Sequence, residues 1–547
     1  MSKHQQKKLN LRQVAQERFG YDKLRSGQEA AIQAVLEGHD TLAVMPTGSG
    51  KSAIYQMAAF LIPGSTVVVS PLLALQRDQV KAIADQDVGE ASVINSTLST
   101  TERQEVFDHL QEGDLEFLFL APEQFNQAET LERLQATQPS LFVVDEAHCI
   151  SSWGHDFRPD YLRLNQVIEG LGHPRILALT ATAAPPVRAE IIERLGMQDA
   201  TIVVQGFDRP NIELSVSRFE TEDEKQESLL KQIAQADKPG IVYVATRKRA
   251  EELTELLTSQ GMRSRFYHAG MKATDRQQVE VAFMSDEVEV LVATTAFGMG
   301  VDKPNVRFVF HADISDSIDS YYQEIGRAGR DAEAAKAVLF YKPDDLNLRR
   351  FFASGGQVDV EQIEQVVEIL QDQEKPITPK EVKEQVELSS TKVRRVLNHL
   401  TEVGMVETLP TGEVVTTDTA MTMQEGVEAA LRVQERRQQF ERSRLEMMRS
   451  YAELKNCRRE YILNYFGEQF EAPCDNCDNC KTGVTEQQTE TSGHQPYALK
   501  SRVVHKPWGE GTVMRYENDK IVILFDQVGY KTLEVQTVLL HRLLQRL

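Results

Sequence analysis

The chain has 547 residues, 41% of them hydrophobic and 26% charged, and a formal net charge of −21. One hydrophobic core rarely grows past roughly 250–300 residues, so three to five domains are expected, and nothing approaches the ~18 uninterrupted apolar residues of a membrane-spanning helix. The acidic balance repels phosphate and excludes a protein that merely coats nucleic acid, though not one that grips it in local basic grooves. The N-terminal basic residues have no apolar run behind them, so no secretion signal is expected. Five cysteines, four of them late in the chain, suit a reducing compartment better than a disulfide framework. A cytoplasmic protein without a membrane partner is expected.

In chain order, residues 41–45, 66–70, 117–121, 141–145, 176–180, 240–245, 289–294 and 307–311 read as buried strands, with helical patterns between most of them. That alternation is the signature of parallel α/β sheets, and the strands are too many for one such sheet. Two lobes dividing near 206–211 are predicted. Residues 351–375 are mixed. From 378 to 417 the pattern reads helix, helix, strand, turn, strand, with Ser389-Ser390-Thr391 as an N-cap for a helix to about residue 403 and Leu409-Pro410-Thr411-Gly412 as a hairpin turn. This is similar to a winged helix carrying Lys392, Arg394, Arg395 and His399 on its second helix; such a helix either enters a DNA major groove or serves only for packing. Residues 430–465 hold nine Lys or Arg against five Asp or Glu, a solvated face or a phosphate-contacting one. Residues 481–497 are polar and predicted to be a linker. Short strands at 502–504, 511–516, 520–525 and 530–535 suggest a small barrel, with Val513, Ile521, Ile523 and Phe525 as its core. His505, Lys506, Trp508 and Tyr530 are expected near its rim, where polar-aromatic side chains often form binding surfaces. No internal repeat is present.

Met45-Pro46-Thr47-Gly48-Ser49-Gly50-Lys51-Ser52 follows a predicted strand and opens a predicted helix, the setting a phosphate loop needs. Its glycines let backbone N–H groups approach phosphates, and the helix N-terminus adds a favourable dipole. Lys51 is placed to reach the β- and γ-phosphates and Ser52 to ligate Mg²⁺, although Met45 stands where the usual pattern has Gly. On a later strand, Asp145 suits Mg²⁺ and Glu146 the base that orients an attacking water. Seven residues on, Trp153, His155, Phe157 and Arg158 suit stacking on bases and gripping phosphate; ordinary core aromatics are the alternative for Trp153 and Phe157. Arg327 and Arg330, three apart and predicted to share one helical face, offer the cation that stabilises a departing phosphoryl group. Cys457, Cys474, Cys477 and Cys480 have spacing that suits tetrahedral zinc in a closed structural site, with an iron–sulfur cluster as the alternative. Cys149 is expected to be a small buried hydrophobe.

The motifs F-G-Y-D-K-L-R-S-G-Q (19–28), M-P-T-G-S-G-K-S (45–52), V-V-V-S-P-L-L-A-L-Q-R-D-Q-V (67–80), D-E-A-H-C-I-S-S-W-G-H-D-F-R-P (145–159), A-L-T-A-T-A (178–183), A-F-G-M-G-V-D-K-P-N-V-R (296–307) and Q-E-I-G-R-A-G-R-D (323–331) together resemble the RecQ family of superfamily 2 DNA helicases. A multidomain α/β fold is expected: the resemblance implies RecA-like lobes at 1–207 and 208–350 and a zinc-binding helical segment at 426–482, and the residue pattern adds a winged-helix-like segment at 351–425, a linker at 483–497 and a Tudor- or SH3-like barrel at 498–547. It implies that Tyr21, Arg25 and Gln28 hold adenine, that Thr47, Gly48, Gly50, Lys51 and Ser52 hold the phosphates, and that Arg330 is the arginine finger with Arg327 its neighbour. It implies that Thr180 and Thr182 link ATP state to strand contacts, and that His148, Trp153, His155, Phe157 and Arg158 couple DNA binding to hydrolysis. ATP, Mg²⁺ and Zn²⁺ are the cofactors implied.

Two departures from the family pattern stand out. The winged-helix-like stretch precedes the zinc segment rather than following it, so no wing residue is carried over, and the chain lacks room for the accessory helical domain of many relatives. V-V-H-K-P-W-G-E-G-T-V (503–513), I-V-I-L-F (521–525) and G-Y-K-T-L (529–533) instead resemble the Tudor-like barrel of some UvrD-type helicases, which binds protein, including RNA polymerase. The implied activity is ATP-dependent 3′→5′ unwinding of single-strand–duplex junctions of DNA in repair, recombination or replication restart. An RNA helicase of the DEAH type and a non-catalytic nucleic-acid-binding scaffold are the alternatives. The barrel is expected to move independently and to be dispensable for unwinding.

Overall fold

The computed structural model describes residues 11–547 except 72, 96–97, 152–156, 299–301, 355–356, 374, 410–411, 418–420, 484–494, 500 and 518. The chain forms two compact units, residues 1–205 with 356–437 and residues 206–355 with 438–547. In the first, β1 (Thr41–Val44), β2 (Thr66–Val69), β3 (Ala91–Ile94), β4 (Phe117–Leu120), β5 (Leu141–Val144), β6 (Arg175–Thr180) and β7 (Thr201–Val204) build one sheet in the order β3-β4-β2-β5-β6-β1-β7, parallel throughout. The runs Thr-Val-Val-Val of β2 and Leu-Phe-Val-Val of β5 are buried at every position, as strands covered on both faces must be. The order makes β5, β6 and β1 neighbours, so the loops leaving their C-terminal ends meet.

The second unit holds β8 (Ile212–Arg218), β9 (Gly240–Tyr243), β10 (Ser264–Tyr267), β11 (Val290–Ala293), β12 (Phe308–His311) and β13 (Ala335–Tyr341), ordered β10-β11-β9-β12-β13-β8 and again parallel. Strand β8 is an edge.

Helices Val360–Gln371, Pro379–Gln385 and Ser390–Glu402 precede the antiparallel hairpin of β14 (Val406–Thr408) and β15 (Val414–Thr416), around a core that includes Ile363, Val367, Leu397, Leu400 and Val414. Ser389 Oγ accepts the Lys392 N–H and starts the third helix. His399 does not join a basic outer face. It is 2% exposed, and burial, with Arg437 and Arg395 nearby, pushes its pKa down to about 4, so it is a neutral core residue at physiological pH. The charge excess after residue 430 is largely consumed inside the fold as well: Arg437 pairs with Glu402, buried Arg444 with Asp319, Arg458 with Asp478 and Arg459 with Asp208.

At the C-terminus, β16 (Arg502–His505), β17 (Gly509–Glu517), β18 (Lys520–Phe525), β19 (Gly529–Glu534) and β20 (Leu544–Arg546) form an antiparallel sheet ordered β19-β18-β17-β16-β20. No pairing of β19 with β20 closes it into a barrel among the described residues. One face covers the expected core of Val513, Ile521, Ile523 and Phe525. The register shifts between Val513 and Arg515, so that Val513 opposes Ile523 while Arg515 opposes Val522. This bulge turns Arg515 to the sheet's other face. That face is covered too: the Arg515 guanidinium lies 4.2 Å over the Tyr461 ring, and the Tyr530 and Tyr465 rings are 5.4 Å apart. A Cβ on Gly529, where φ is +72°, would stand 2.3 Å from Ser443 Oγ on the helix Met423–Ala452. Tyr530 and His505 are therefore buried rather than at a rim, and the sheet is docked on the zinc-segment helices instead of being independent of them. The expected linker falls mostly outside the described residues, but Tyr497 at its end belongs to the sheet's core, its hydroxyl donating to the Leu544 carbonyl.

Candidate nucleotide, arginine and zinc sites

The loop after β1 is shaped by Gly48 (φ +75°) and Gly50 (φ +76°), and the helix Lys51–Leu61 starts at once behind it. A side chain at position 50 would strain a left-handed backbone and, with its Cβ 2.6 Å from Gln28 Nε2, displace the Gln28 amide. Gln28 is fully engaged: its amide donates to the Ser49 and Gly50 carbonyls at 2.9 and 3.1 Å and accepts the Arg25 N–H. Arg25 Nη1 donates to the Gly48 carbonyl at 3.0 Å. Tyr21 stacks on Phe19, ring centroids 6.2 Å apart. Residues expected at adenine thus also brace the phosphate loop. Lys51 Nζ donates to the Met45 carbonyl at 3.2 Å. The group used at position 45 is backbone, which explains how Met can stand where the usual pattern has Gly. Thr47 and Ser52 are half-buried at the loop's two ends.

Asp145 and Glu146 leave β5 beside this loop. Glu146 takes φ +48°, and its N–H donates to Asp145 Oδ1 at 3.0 Å. Burial of its carboxyl, then Glu146, push Asp145 up to about 7, with Lys51 opposing. A carboxylate so penalised is one whose charge a bound divalent cation offsets, and the donor set of Asp145 with the Ser52 hydroxyl is all oxygen, as Mg²⁺ requires. Behind Glu146, His148 is buried, with Nδ1 3.3 Å from Glu146 Oε2 and 2.9 Å from Thr180 Oγ1. Thr180 Oγ1 donates to the Thr182 carbonyl and accepts the Thr182 N–H. A continuous polar path thus runs from the candidate base to the loop after β6. Arg158 Nη1 donates to the Pro71 carbonyl at 3.1 Å, and the Arg437 guanidinium lies 4.3 Å over Phe157. Trp153 and His155 lie outside the described residues. Cys149 is fully buried. Thr180→Val keeps the volume of this site and removes the hydroxyl. We expect it to lower DNA stimulation of the ATPase several-fold more than the basal rate, read by steady-state kinetics with and without single-stranded DNA.

In the second unit the helix Ile318–Ile325 ends at Gly326, so Arg327 and Arg330 lie in the turn behind it rather than on one helical face. Arg327 is 3% exposed and lies near the Tyr243 hydroxyl, which itself donates to the Phe297 carbonyl at 2.7 Å; Arg330 Nη1 donates to Asp302 Oδ1 at 2.6 Å. Sequence reasoning missed what holds this turn. Arg209 donates to the carbonyls of Gly326, Ala328 and Gly329, and Asn211 to those of Gly329 and Glu333. The signal was present in Phe207-Asp208-Arg209-Pro210-Asn211, where forked and amide donors flank a proline in an otherwise plain connector.

The thiol sulfurs of Cys457, Cys474, Cys477 and Cys480 all lie within 4.8 Å of one another, with Cys474 and Cys480 at 3.9 Å. Four sulfurs at ~2.3 Å from a tetrahedral zinc stand about 3.8 Å apart, so the cluster fits that ion. Thiol hydrogen bonds from Cys457 and Cys477 pull Cys474 down to about 3, the thiolate state a metal needs. The loop is laid along β8: the Leu214 N–H donates to the Asn476 carbonyl and the Val216 N–H to Asp478 Oδ2. Cys474→Ser is expected to lose the metal and loosen the surrounding segment, because in small structural sites on the order of 10 kcal/mol of metal binding is tied to folding. Metal analysis should find about one zinc per parent chain and a small fraction of that in the variant; iron with a visible absorption band in the parent would reverse the assignment.

A DEAD/DEAH box helicase model matches residues 25–190, a helicase conserved C-terminal domain model residues 224–332 and a RecQ zinc-binding model residues 414–481. The probable ATP-dependent DNA helicase RecS of Bacillus subtilis (strain 168) is 34% identical over 511 residues, 92% of this chain and 99% of that protein. The ATP-dependent DNA helicase RecQ of the same strain is 43% identical over 335 residues, covering 61% of this chain and 56% of that one. Among solved structures, the DNA-bound helicase MrfA aligns with a TM-score of 0.52 at 16% identity over 76% of this chain and 63% of that chain, a likeness of fold alone. No helix of the described residues is long and apolar enough to cross a membrane. With its phosphate loop, acidic pair, arginine turn and four-thiol cluster matched by those models and relatives, the chain belongs to the RecQ family of ATP-dependent DNA helicases, using ATP with Mg²⁺ and carrying Zn²⁺.

Proposed function

We propose that the chain moves 3′→5′ along single-stranded DNA and unwinds junctions with duplex in repair, recombination or replication restart, in the cytoplasm. The supporting observation is the buried path from Glu146 through His148 and Thr180 to Thr182, which ties the hydrolytic carboxylate to the loop after β6. Lys51 and the Gly48–Gly50 backbone bind the phosphates, and Tyr21, Arg25 and Gln28 serve the adenine end. Asp145 and Ser52 hold Mg²⁺, which neutralises phosphate charge when bound. Glu146 takes a proton from the attacking water. Arg330, with Arg327, stabilises charge on the transferring phosphoryl group. Trp153, His155, Phe157 and Arg158 sense the strand. The test is unwinding of matched 3′-tailed and 5′-tailed DNA duplexes, and of the 3′-tailed RNA duplex. Unwinding confined to 3′-tailed DNA supports the proposal. Preference for the 5′ tail overturns the polarity, and preference for RNA overturns the substrate.

The C-terminal sheet, in the same proposal, recruits a protein. Exposed Leu540 and Leu547, and half-buried Trp508 with Lys531 5.7 Å from its ring, offer an apolar and aromatic surface of the kind interfaces use. RNA polymerase is the partner suggested by the UvrD-type resemblance. Co-purification with added RNA polymerase that survives Trp508→Ala and Leu540→Asp counts against it.

A further inference from the structure

The C-terminal sheet packs on the helices Met423–Ala452 and Arg458–Tyr465, and the second of these meets the helix Ile318–Ile325 that leads into the arginine turn. The first turn of the helix Ile318–Ile325 carries Asp319, which is 5% exposed and would be costly to bury without partners. Tyr465 supplies one, its hydroxyl donating to Asp319 Oδ2 at 2.5 Å. Arg444 supplies the second, 3.8 Å away and itself buried. The Tyr465 ring in turn packs against that of Tyr530 on β19, centroids 5.4 Å apart, and Tyr530 is buried. Arg515 anchors the same sheet a turn away, over Tyr461 and with Nη2 3.2 Å from Met447 Sδ. A line of contact, Tyr530 against Tyr465 by their rings and Tyr465 to Asp319 by its hydroxyl, therefore runs from the last domain to the start of the helix whose end is the arginine turn. Packing alone would be served by Phe at 465; a hydroxyl placed on a buried carboxylate fixes a direction.

We propose that the C-terminal sheet is a positioning element of the motor, with Tyr465 and Tyr530 as positioning residues that set the helix Ile318–Ile325 and so the placement of Arg327 and Arg330. The helix is eight residues long, about 12 Å at 1.5 Å per residue. Tilting such a lever by about 5° at Asp319 moves its far end by about 1 Å, a misplacement that can cost ~100-fold in rate. The inference rests on the assignment of these arginines to ATP hydrolysis, and it makes the sheet necessary for turnover rather than dispensable.

The test uses the full-length, zinc-loaded chain. Arg330→Ala comes first: parent-like hydrolysis would reject the arginine assignment itself, whatever the role of the sheet. With that variant inactive, Tyr465→Phe severs the link to Asp319 and Arg515→Ala unseats the sheet without touching the helix. Each is expected to lower DNA-stimulated kcat about tenfold, a part of the loss that a 1 Å displacement allows, with KM for ATP and zinc content close to the parent's and with Tm lowered by a few degrees but the protein folded at the assay temperature. In an Arg330→Ala background Tyr465→Phe should cost nothing more. Parent-like kcat in both single variants, a loss that tracks only the fraction of folded, zinc-loaded protein, or full additivity with Arg330→Ala each overturns the proposal.

Discussion

Glu146→Gln is expected to keep ATP binding and lose most ATP hydrolysis, by about 10²–10⁴-fold, the usual worth of a positioned general base. An amide fills the same volume beside His148, whose Nδ1 lies 3.3 Å from the present carboxylate, yet it cannot take a proton from water. The backbone strain at φ +48° is unchanged, so stability should be nearly unaltered. Lys51→Ala should behave differently, because Lys51 contributes to binding as well as to charge neutralisation; there both ATP affinity and turnover fall. Equilibrium binding of a fluorescent ATP analogue beside steady-state hydrolysis separates the two cases. Near-normal hydrolysis by the Gln variant removes Glu146 from the role of base.

Arg330→Ala should cost about as much or more, on the order of 10³-fold in kcat, as loss of a finger arginine does in phosphoryl-transfer enzymes. Its side chain is 7% exposed and its tie is to Asp302, which is 82% exposed. Burial and the neighbouring Arg327 both lower its pKa, with Asp302 opposing. Asp302 costs little to release, since an exposed carboxylate is readily rehydrated. Arg330→Lys should not restore the rate, because an ammonium lacks the planar fork. Single-turnover hydrolysis at saturating ATP is the measurement. A variant that loses only ATP affinity would make Arg330 a binding residue.

Much of the hydrolytic site was legible because its residues are adjacent in sequence. The phosphate loop and the acidic pair each occupy a few consecutive positions, and the apolar runs before them could only be buried strands. Five strands of these two sheets escaped notice, β3, β7, β8, β10 and β13: β7, for instance, alternates half-buried and exposed positions at a sheet edge, with Ile202 and Val204 in solvent, and β13 opens as Ala-Lys-Ala, which carries no strand signal. Supports made across long separations were invisible, among them Arg209 on the turn at Gly326–Gly329 and Tyr465 on Asp319. The arginine turn itself was misread because a period of three fits a helix, whereas Gly326 ends the helix first. One clue was present and unused. Ile521-Val522-Ile523-Leu524-Phe525 is apolar without alternation, and in an antiparallel strand that means both faces are covered. It already said that the terminal sheet is not a free module with a solvent-facing rim.

The zinc loop lying along β8 has a consequence for the protein as a material. An edge strand offers a ladder of open donors and acceptors to any other chain, and natural sheets shield such edges against aggregation. Here the shield is the metal-bound loop, through Asn476 and Asp478 on the Leu214 and Val216 amides. Stripping the ion should therefore do more than soften one segment. It uncovers a parallel-sheet edge, so the apo protein should self-associate in a concentration-dependent way, and chelators in purification buffers should yield oligomers and precipitate before they yield an unfolded monomer.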